Sequence, residues 1–499
     1  MPRVPALALA LLFGVACQVP PATATPAPTG AQTGGTIRVA LPAEVTSFDP
    51  WRADPASLMA TRQIFETLVE VDPATARIVP ALASSWQMAN DGATWTFTLR
   101  DGVRFHDGSA LDASSVAASF ERGRIASAPA YRALFDDPPA IVTVQAVDAR
   151  TVRFELRAPF GPFLAHLAAP QAAIALPNDA GTGPFAASAA ALAPDGTLTL
   201  RRNDLYWRRD ASGKQLPYLD GLVLRPVRDA TSRLAELRAG RAEVALDLPI
   251  AQASGARSDP SLVVTPRKDA ALASLGIDAN AAPFDRPAAR RAVAMAVNRN
   301  ALSAVYAGTS RPATQVVPPG SLGYDDSVVE FTALDTDAAR KALADARVAT
   351  PISSELAYPS TPTAAYPDPQ RVAQSIAADL GKIGIVARVR AVDPTALRDA
   401  KATFTLDTTA LGLDPDEVFW PLYGSDDPSA VSLIVGLVRK ARGDADPNKR
   451  AELYKQVSKI ARTEALRVPL LFADRPNAAT ARLVGYTGIE YFGTVWLRP

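Results

Sequence analysis

The sequence predicts an α/β protein with a mixed sheet, preceded by a strand-rich first third. Three observations predict it. The first third carries segments that alternate apolar and polar side chains with the period of two of a half-buried strand. Beyond residue 225 the texture changes to helix-period segments alternating with short apolar strands. At 499 residues the chain can bury several cores and divide into two or three domains.

Taken in order, Thr36–Ala40 alternates as a short strand. Ser57 stands where it would cap a helix running to about Val71, with Leu58, Phe65, Leu68 and Val69 on its apolar face. Trp95, Phe97 and Leu99 alternate with threonines. Asp101-Gly102 supplies a turn with positive φ, and Val103 and Phe105 continue the alternation, so a β-hairpin is expected. Asp112 would cap a short helix toward Phe120, and Ile141–Ala146 against Val152–Leu156 reads as a second hairpin. Pro287 suits the first turn of a helix reaching about Tyr306. Pro369 and Gln370 open another that ends at Gly381, before a strand Ile385–Val389. Asn448–Glu464 is a long amphipathic helix followed by the apolar strand Val468–Phe472. The Pro-rich stretches near 312–320 and 359–369 read as connecting loops.

The N-terminus is not part of this pattern. Arg3, the apolar run Ala6–Val15 and the small residues Gly14-Val15-Ala16 have the layout of an export signal, residues 1–16. The run is about half the length a bilayer span requires. Cys17, the single cysteine, follows directly, and the segment resembles a bacterial lipoprotein signal in which that thiol is acylated; it departs from the usual pattern at Gly14, where Leu is common. Residues 17–33, rich in Pro, Ala, Thr and Gly, read as a flexible tether. As a coil of about 16 residues it would reach on the order of 20–25 Å. The protein is therefore expected outside the cytoplasm, lipid-anchored to the membrane.

Composition narrows the chemistry. Removing residues 1–16 takes away one basic residue of 52, leaving 51 against 51 acidic ones, so the mature chain has no electrostatic footprint for nucleic acid. Two histidines and no free thiol exclude Cys/His zinc sites and make a bare metal ion a poor ligand. A Ser-His-Asp triad would have only His106 and His166 to draw on. His106, in Phe105-His106-Asp107-Gly108, reads as a turn or surface residue, and His166 as a packed one. No catalytic residue is assigned and no cofactor is expected. Plentiful carboxylates leave an exported acid/base hydrolase as an alternative.

Several segments together resemble the extracytoplasmic solute-binding proteins of ABC transporters, in the peptide/nickel-binding family (family 5) that includes dipeptide- and oligopeptide-binding proteins. They run in order. Gly34-Gly35-Thr36-Ile37-Arg38-Val39-Ala40 precedes Ser47-Phe48-Asp49-Pro50, then Ile64-Phe65-Glu66-Thr67-Leu68 and Ile78–Trp86. The Thr94–Gly108 segment, ending Phe-His-Asp-Gly, is the most specific match. Gly181-Thr182-Gly183-Pro184-Phe185, Pro217-Tyr218-Leu219-Asp220, Pro283-Phe284-Asp285, Val317-Pro318-Pro319-Gly320 and Asp414-Pro415-Asp416 carry the resemblance onward. It covers essentially residues 34–475. The glycines at 181 and 183 are better read as a crossing between domains than as a phosphate loop, since no clear strand precedes them.

The resemblance implies a two-lobed periplasmic-binding-protein fold (type II, cluster C) with an extra strand-rich subdomain. Residues 34–54, 181–266 and 475–499 would form the first lobe, 55–180 the inserted subdomain and 267–474 the second lobe. A monomer would capture a peptide or similar small solute between the lobes, close on it and dock on ABC permease subunits. A ligand-sensing or chaperone-like lipoprotein of the same fold is the alternative. Expected ligand-binding residues are Phe48, Asp49, Trp51, Gly183, Tyr366, Asp414 and Trp420. Peptide-binding members hold the ligand amine with an acidic residue three before the Asp-Pro pair; without a gap that position is Leu411, and a one-residue gap would make Asp407 or Asp414 the anchor instead. Dipeptide binders place an arginine two before Tyr-x-Pro; that position is Ala364. With both anchors missing, a dipeptide's buried terminal charges would be uncompensated, which disfavours it. A metal held by an organic chelator stays open.

Overall fold

The structure, a computed structural model, describes residues 30–498 apart from 53, 73, 74, 76, 137–139, 188–190, 329–332, 425–431 and 490. The expected signal peptide, Cys17 and most of the expected tether lie outside the described residues. Where the segment expected to be a tether is described, Ala31 is docked: Lys214 Nζ donates to its carbonyl at 2.9 Å, and it packs on the cluster that holds Tyr218 and Trp496.

The first strand, Thr36–Leu41, alternates as its sequence does, with Ile37 and Val39 fully buried. It lies parallel to Gly221–Pro226 and to Val244–Ala245 and forms the middle of one half of an eleven-stranded sheet. The other half holds Ile352–Pro359, parallel to Ile385–Val392 and to Phe404–Ala410. Two long antiparallel strands, Leu262–Ile277 and Arg467–Thr480, run through both halves. Their register shifts between Arg267 and Ala271, and there the partners change. Ala478 and Ala479 pair with Val244–Ala245 on one side, while Ala271–Ile277 pairs with Phe404–Ala410 on the other.

The expected strand Val468–Phe472 is thus only the start of a 14-residue element. Its continuation carries Asp474, Arg475 and Asn477, which hide the strand from an apolar-pattern reading. At the crossing these groups are paired: Arg475 with Asp247 at 2.5 Å, and Asn477 Oδ1 accepting from the Asp247 N–H at 2.9 Å.

In the second half the period of two divides the crossing strands between two cores. Ala271, Ala273 and Leu275 face the helices Pro287–Ala296, Arg299–Val305 and Pro369–Gly381, while Leu272 and Phe472 face Asp416–Tyr423, Ser432–Arg442 and Pro447–Glu464. The helix expected from Pro287 to Tyr306 breaks at Val297, whose backbone is extended, and restarts where Asn298 accepts from the Ala301 N–H.

Residues 83–156 supply a separate four-stranded sheet in the order Ala83–Met88, Thr94–Leu99, Thr151–Leu156, Ile141–Ala146. The second hairpin forms as read. The first does not: both edges of Thr94–Leu99 are taken by other strands, so Val103 and Phe105 turn inward as buried core residues instead. Gly102 does adopt the positive φ, +74°, that the turn needs. The helix expected from Ser57 to Val71 is shorter, Pro55–Ile64, and its cap is Asp54, which accepts from Ala56 and Ser57 N–H. Phe65 is already extended, and Val69–Val71 pairs with Ile78–Pro80 as a strand.

Candidate ligand-binding cleft

In both halves of the large sheet the parallel strands point their C-terminal ends at the crossing. Ala410 ends opposite Ala271, and Leu248, just past Val244–Ala245, bonds through its N–H to the Pro476 carbonyl. The loops that leave these ends, at 42–54, 227–229, 246–249, 360–368 and 411–415, therefore converge on the seam between the halves. C-terminal strand ends are where open α/β sheets bind ligands.

Of the seven expected site residues, Phe48, Asp49, Tyr366 and Asp414 sit on these loops and Trp420 on the helix that follows the last of them. Phe48 is half-buried against the first-half core, and Asp49 lies 3.8 Å from Arg122 and 3.9 Å from Arg52. Trp51 leaves its loop for a core: only 1 % exposed, it packs edge-on against Phe120, Tyr131 and Phe135, and its Nε1 donates to the Ser119 carbonyl at 3.2 Å. No face of it is left for a ligand. Gly183 is a packing glycine: a Cβ there would stand 2.6–2.7 Å from the backbone of Gln63 and Ile64. Tyr366 is fully buried and braces the loop, donating to the Ser274 carbonyl at 2.7 Å.

His106 is indeed in a turn, and it also has a structural task. Its Nε2 lies 3.0 Å from the Gly183 carbonyl and its Nδ1 accepts from the Gly181 N–H, so it pins the glycine crossing; burial lowers its pKa. His166 is packed, with Nδ1 2.7 Å from the Leu134 carbonyl.

Neither acidic neighbour of the expected amine anchor is available. Asp407 is paired with Arg467, and Asp414 accepts from both terminal nitrogens of Arg450, at 2.8 and 2.5 Å. Asp414 is one member of a buried charge cluster. Asp416 takes a hydrogen bond from Tyr454 at 3.2 Å and faces Arg442 at 3.5 Å; burial and Asp414 together outweigh the arginines and push it up to about 6. The Arg442 guanidinium lies 4.0 Å over the Trp420 ring and 5.3 Å over Phe160. Leu411 is half-buried and Leu413 43 % exposed, so the loop presents apolar surface where the anchor was expected.

Sequence reading missed Arg442, Arg450 and Glu417. Arg450 was findable, since it shares the helical stripe of Leu453, Tyr454 and Val457, an odd place for a cation unless a carboxylate is buried opposite. Glu417 was not. The residue as a whole is exposed, but its carboxylate packs against Gly412, and that burial, with Asp414, raises it to about 7. Among the described residues, no group of three or more His, Cys, Asp or Glu side chains is placed to hold a metal ion, and no helix is long and apolar enough to cross a membrane.

A sheet in two halves, joined by crossing strands and with loops converging on the seam, has the architecture of the two-lobed type II periplasmic-binding-protein fold. The chain belongs to the bacterial extracellular solute-binding proteins, family 5, whose model ("family 5 Middle") matches residues 77–430. Di/tripeptide-binding protein 2 of Pseudomonas aeruginosa (strain UCBPP-PA14) is 29% identical, over 90% of this chain and 92% of that protein. Heme-binding protein A of Haemophilus influenzae is 27% identical, over 86% and 85%. Among solved structures, HbpA2 from Haemophilus parasuis superposes with a TM-score of 0.82 at 23% identity, covering 93% of this chain and all of that one. The periplasmic binding protein DppA from Helicobacter pylori, in complex with peptide STSA, gives 0.70 at 24% identity, covering 94% and 99%.

Proposed function

We propose that this chain is the lipid-anchored receptor of an ABC importer, capturing a peptide or similar small solute between two lobes and delivering it to a permease. The convergence of the loops at 42–54, 227–229, 246–249, 360–368 and 411–415 on the crossing strands carries the reading. The first lobe comprises 34–54, 181–266 and 475–499, the inserted subdomain 55–180 and the second lobe 267–474, with the hinge at the register shift beyond Arg267. Cys17 carries the lipid, and the chain is docked on the first lobe from Ala31 onward. The protein binds rather than transforms its ligand.

Relatives bear the names of di/tripeptide, dipeptide, heme and glutathione binders, so kinship alone does not choose the ligand. The cleft disfavours a zwitterionic dipeptide, because Leu411 and Ala364 stand at both charge anchors and Asp407 and Asp414 are neutralised by arginines. A longer peptide held by its backbone, or a less charged solute, fits better.

One experiment tests capture and anchoring together. Full-length protein and its Cys17→Ser variant are fractionated from an expressing cell, and the soluble variant is melted with Ala-Ala, Ala-Ala-Ala, glutathione, heme and Fe(III)-EDTA. The parent should stay with membranes and the variant should not. At a hundred times its dissociation constant a ligand adds about 2.7 kcal/mol, which a melting curve resolves. Ala-Ala should give the smaller shift of the two peptides. A set of probes none of which shifts the melt would sink the capture reading; a parent found soluble would sink the anchor alone.

A further inference from the structure

The first described residues are held at one pole of the first lobe. The Gly34 N–H donates to the Tyr218 carbonyl at 2.8 Å, and Lys214 Nζ donates to the Ala31 carbonyl at 2.9 Å. Both contacts lie at the N-terminal ends of the parallel strands Thr36–Leu41 and Gly221–Pro226. The loops at 42–54 and 227–229 leave the opposite ends, about 20 Å away for strands of six residues. The docked segment thus marks the pole of the lobe that faces away from the candidate cleft.

This pole is basic. A hairpin closed by the Arg209–Gln215 bridge covers it, and Gln215 Nε2 ties the hairpin to the Asp204 and Tyr206 carbonyls. The cations here are partnered by carbonyl oxygens, which leave their charge uncompensated: Arg209 by Gly213 at 3.1 Å, Lys214 by Ala31, and Arg482 by Arg498 at 3.0 Å. Arg482 belongs to the pole because the neighbouring Val484 packs in the same cluster as Ala31 and Trp496. Exposed Arg201 stands opposite Gly221, where that strand begins. The acids are fewer. Asp220 is paired with Arg202 at 2.5 Å. Asp210 is 5 % exposed and enclosed by hydrogen bonds from Ser212, the Lys214 N–H and Tyr218. With Asp204 and Asp210 both ionised, about two positive charges remain in excess. Leu205, 46 % exposed, adds an apolar side chain among them.

Thirteen residues, 18–30, separate Ala31 from Cys17. However they run, they span at most about 50 Å. A folded body of this size is roughly 60 Å across. A lipid on Cys17 therefore brings the Ala31 pole to the bilayer and keeps the far side of the molecule off it. We propose that the pole carrying Arg201, Leu205, Arg209, Lys214 and Arg482 around the docked Ala31 rests on an anionic lipid bilayer, with the candidate cleft on the side turned away from the membrane. This resting face depends on the lipid at Cys17: the charges orient what the lipid holds. Each excess positive charge near an anionic leaflet favours contact about fivefold, so two favour it about 25-fold. That is too little to retain an untethered chain and enough to orient a tethered one.

The test uses the full-length acylated protein, whose Cys17 thiol is blocked by the lipid. A single new thiol is introduced by Ala211→Cys, at the exposed tip of the hairpin, or by Ser360→Cys, on an exposed seam loop of the second lobe, and labelled with a fluorophore. Each protein is floated with vesicles of phosphatidylcholine, or of phosphatidylcholine and phosphatidylglycerol in equal parts, both carrying a quencher on the lipid headgroup. On the mixed vesicles the label at 211 should be strongly quenched and the label at 360 hardly at all. Arg209→Gln with Arg482→Gln removes the two excess charges from exposed positions. The contact bias should then fall about 25-fold, and quenching at 211 should drop to its value on phosphatidylcholine alone. Equal quenching of the two sites on mixed vesicles would overturn the resting face, as would quenching at 211 that the two substitutions leave unchanged. A protein that floats with neither kind of vesicle would overturn the anchor itself, and the resting face with it.

Discussion

Arg450 shows how a residue's meaning depends on what is buried with it. On an isolated helix it is one more cation in Asn448-Lys449-Arg450. In the fold its side chain is 4 % exposed, its terminal nitrogens hold Asp414, which is 9 % exposed, and its Nε reaches the Ala441 carbonyl at 3.2 Å. Burial alone would lower its pKa, but Asp414 more than compensates and holds it above the ordinary arginine value. A bidentate buried pair of this kind is weak evidence of net stabilisation, yet breaking it is costly because the carboxylate is left uncompensated. Arg450→Ala should therefore destabilise by about 3–5 kcal/mol in urea titration, while Arg450→Met with Asp414→Leu should recover most of that loss. A single variant costing less than about 1 kcal/mol would mean that water or another cation reaches Asp414.

At the scale of elements, legibility followed the locality of the signal. The helix Pro369–Gly381, its Asp368 cap accepting from Arg371 N–H, and the capping box of Asp112 with Ser115 are short-range devices, readable where they stand. The Asp101-Gly102 hairpin failed because a strand's partner is chosen by competition across the sheet, and Ala83–Met88 and Thr151–Leu156 won both edges. Of the two crossing strands only the apolar start Val468–Phe472 was legible, while Asp474, Arg475 and Asn477 concealed the rest of that strand. The candidate site divides the same way. Loop positions such as Asp49, Tyr366 and Asp414 could be located from motif order, but whether each side chain is free or consumed depends on residues far along the chain. The glycine crossing is local in sequence and non-local in cause. A Cβ at Gly183 meets backbone, which cannot swing aside, so Gly183→Ala should cost about 1–3 kcal/mol. Gly255→Ala, on an open helical position, should instead gain up to about 1 kcal/mol. Equal melts for the two variants would show that the crossing has room to shift.

For the whole molecule, with its basic and acidic residues nearly balanced, stability against pH depends less on net charge than on where carboxylates are buried. Two opposite populations exist. Asp210 and Asp325 are held down to about 2, chiefly by hydrogen bonds from Ser212 and Ser327; their contribution is present above the ordinary aspartate range and is lost as pH falls through the folded value. Asp416, in the buried cluster with Asp414, Arg442 and Arg450, is raised to about 6 by burial and Asp414 against the pull of the two arginines. For a raised carboxylate the folded state binds the proton more tightly than the unfolded chain, so stability falls as pH rises between about 4 and about 6. The two effects occupy different windows and can be separated. Asp416→Asn removes the second one only. Relative to the parent it should be least favourable near pH 4 and improve steadily up to about pH 7, by no more than about 3 kcal/mol for a shift of this size. Urea titrations of both proteins at pH 4, 5, 6 and 7 measure that difference directly. A difference that stays flat across the series would place Asp416 fully ionised in the fold, with Arg442 as its dominant neighbour. One that rises as expected would place the proton on Asp416 in the folded protein up to about pH 6, its burial outweighing the two arginines beside it.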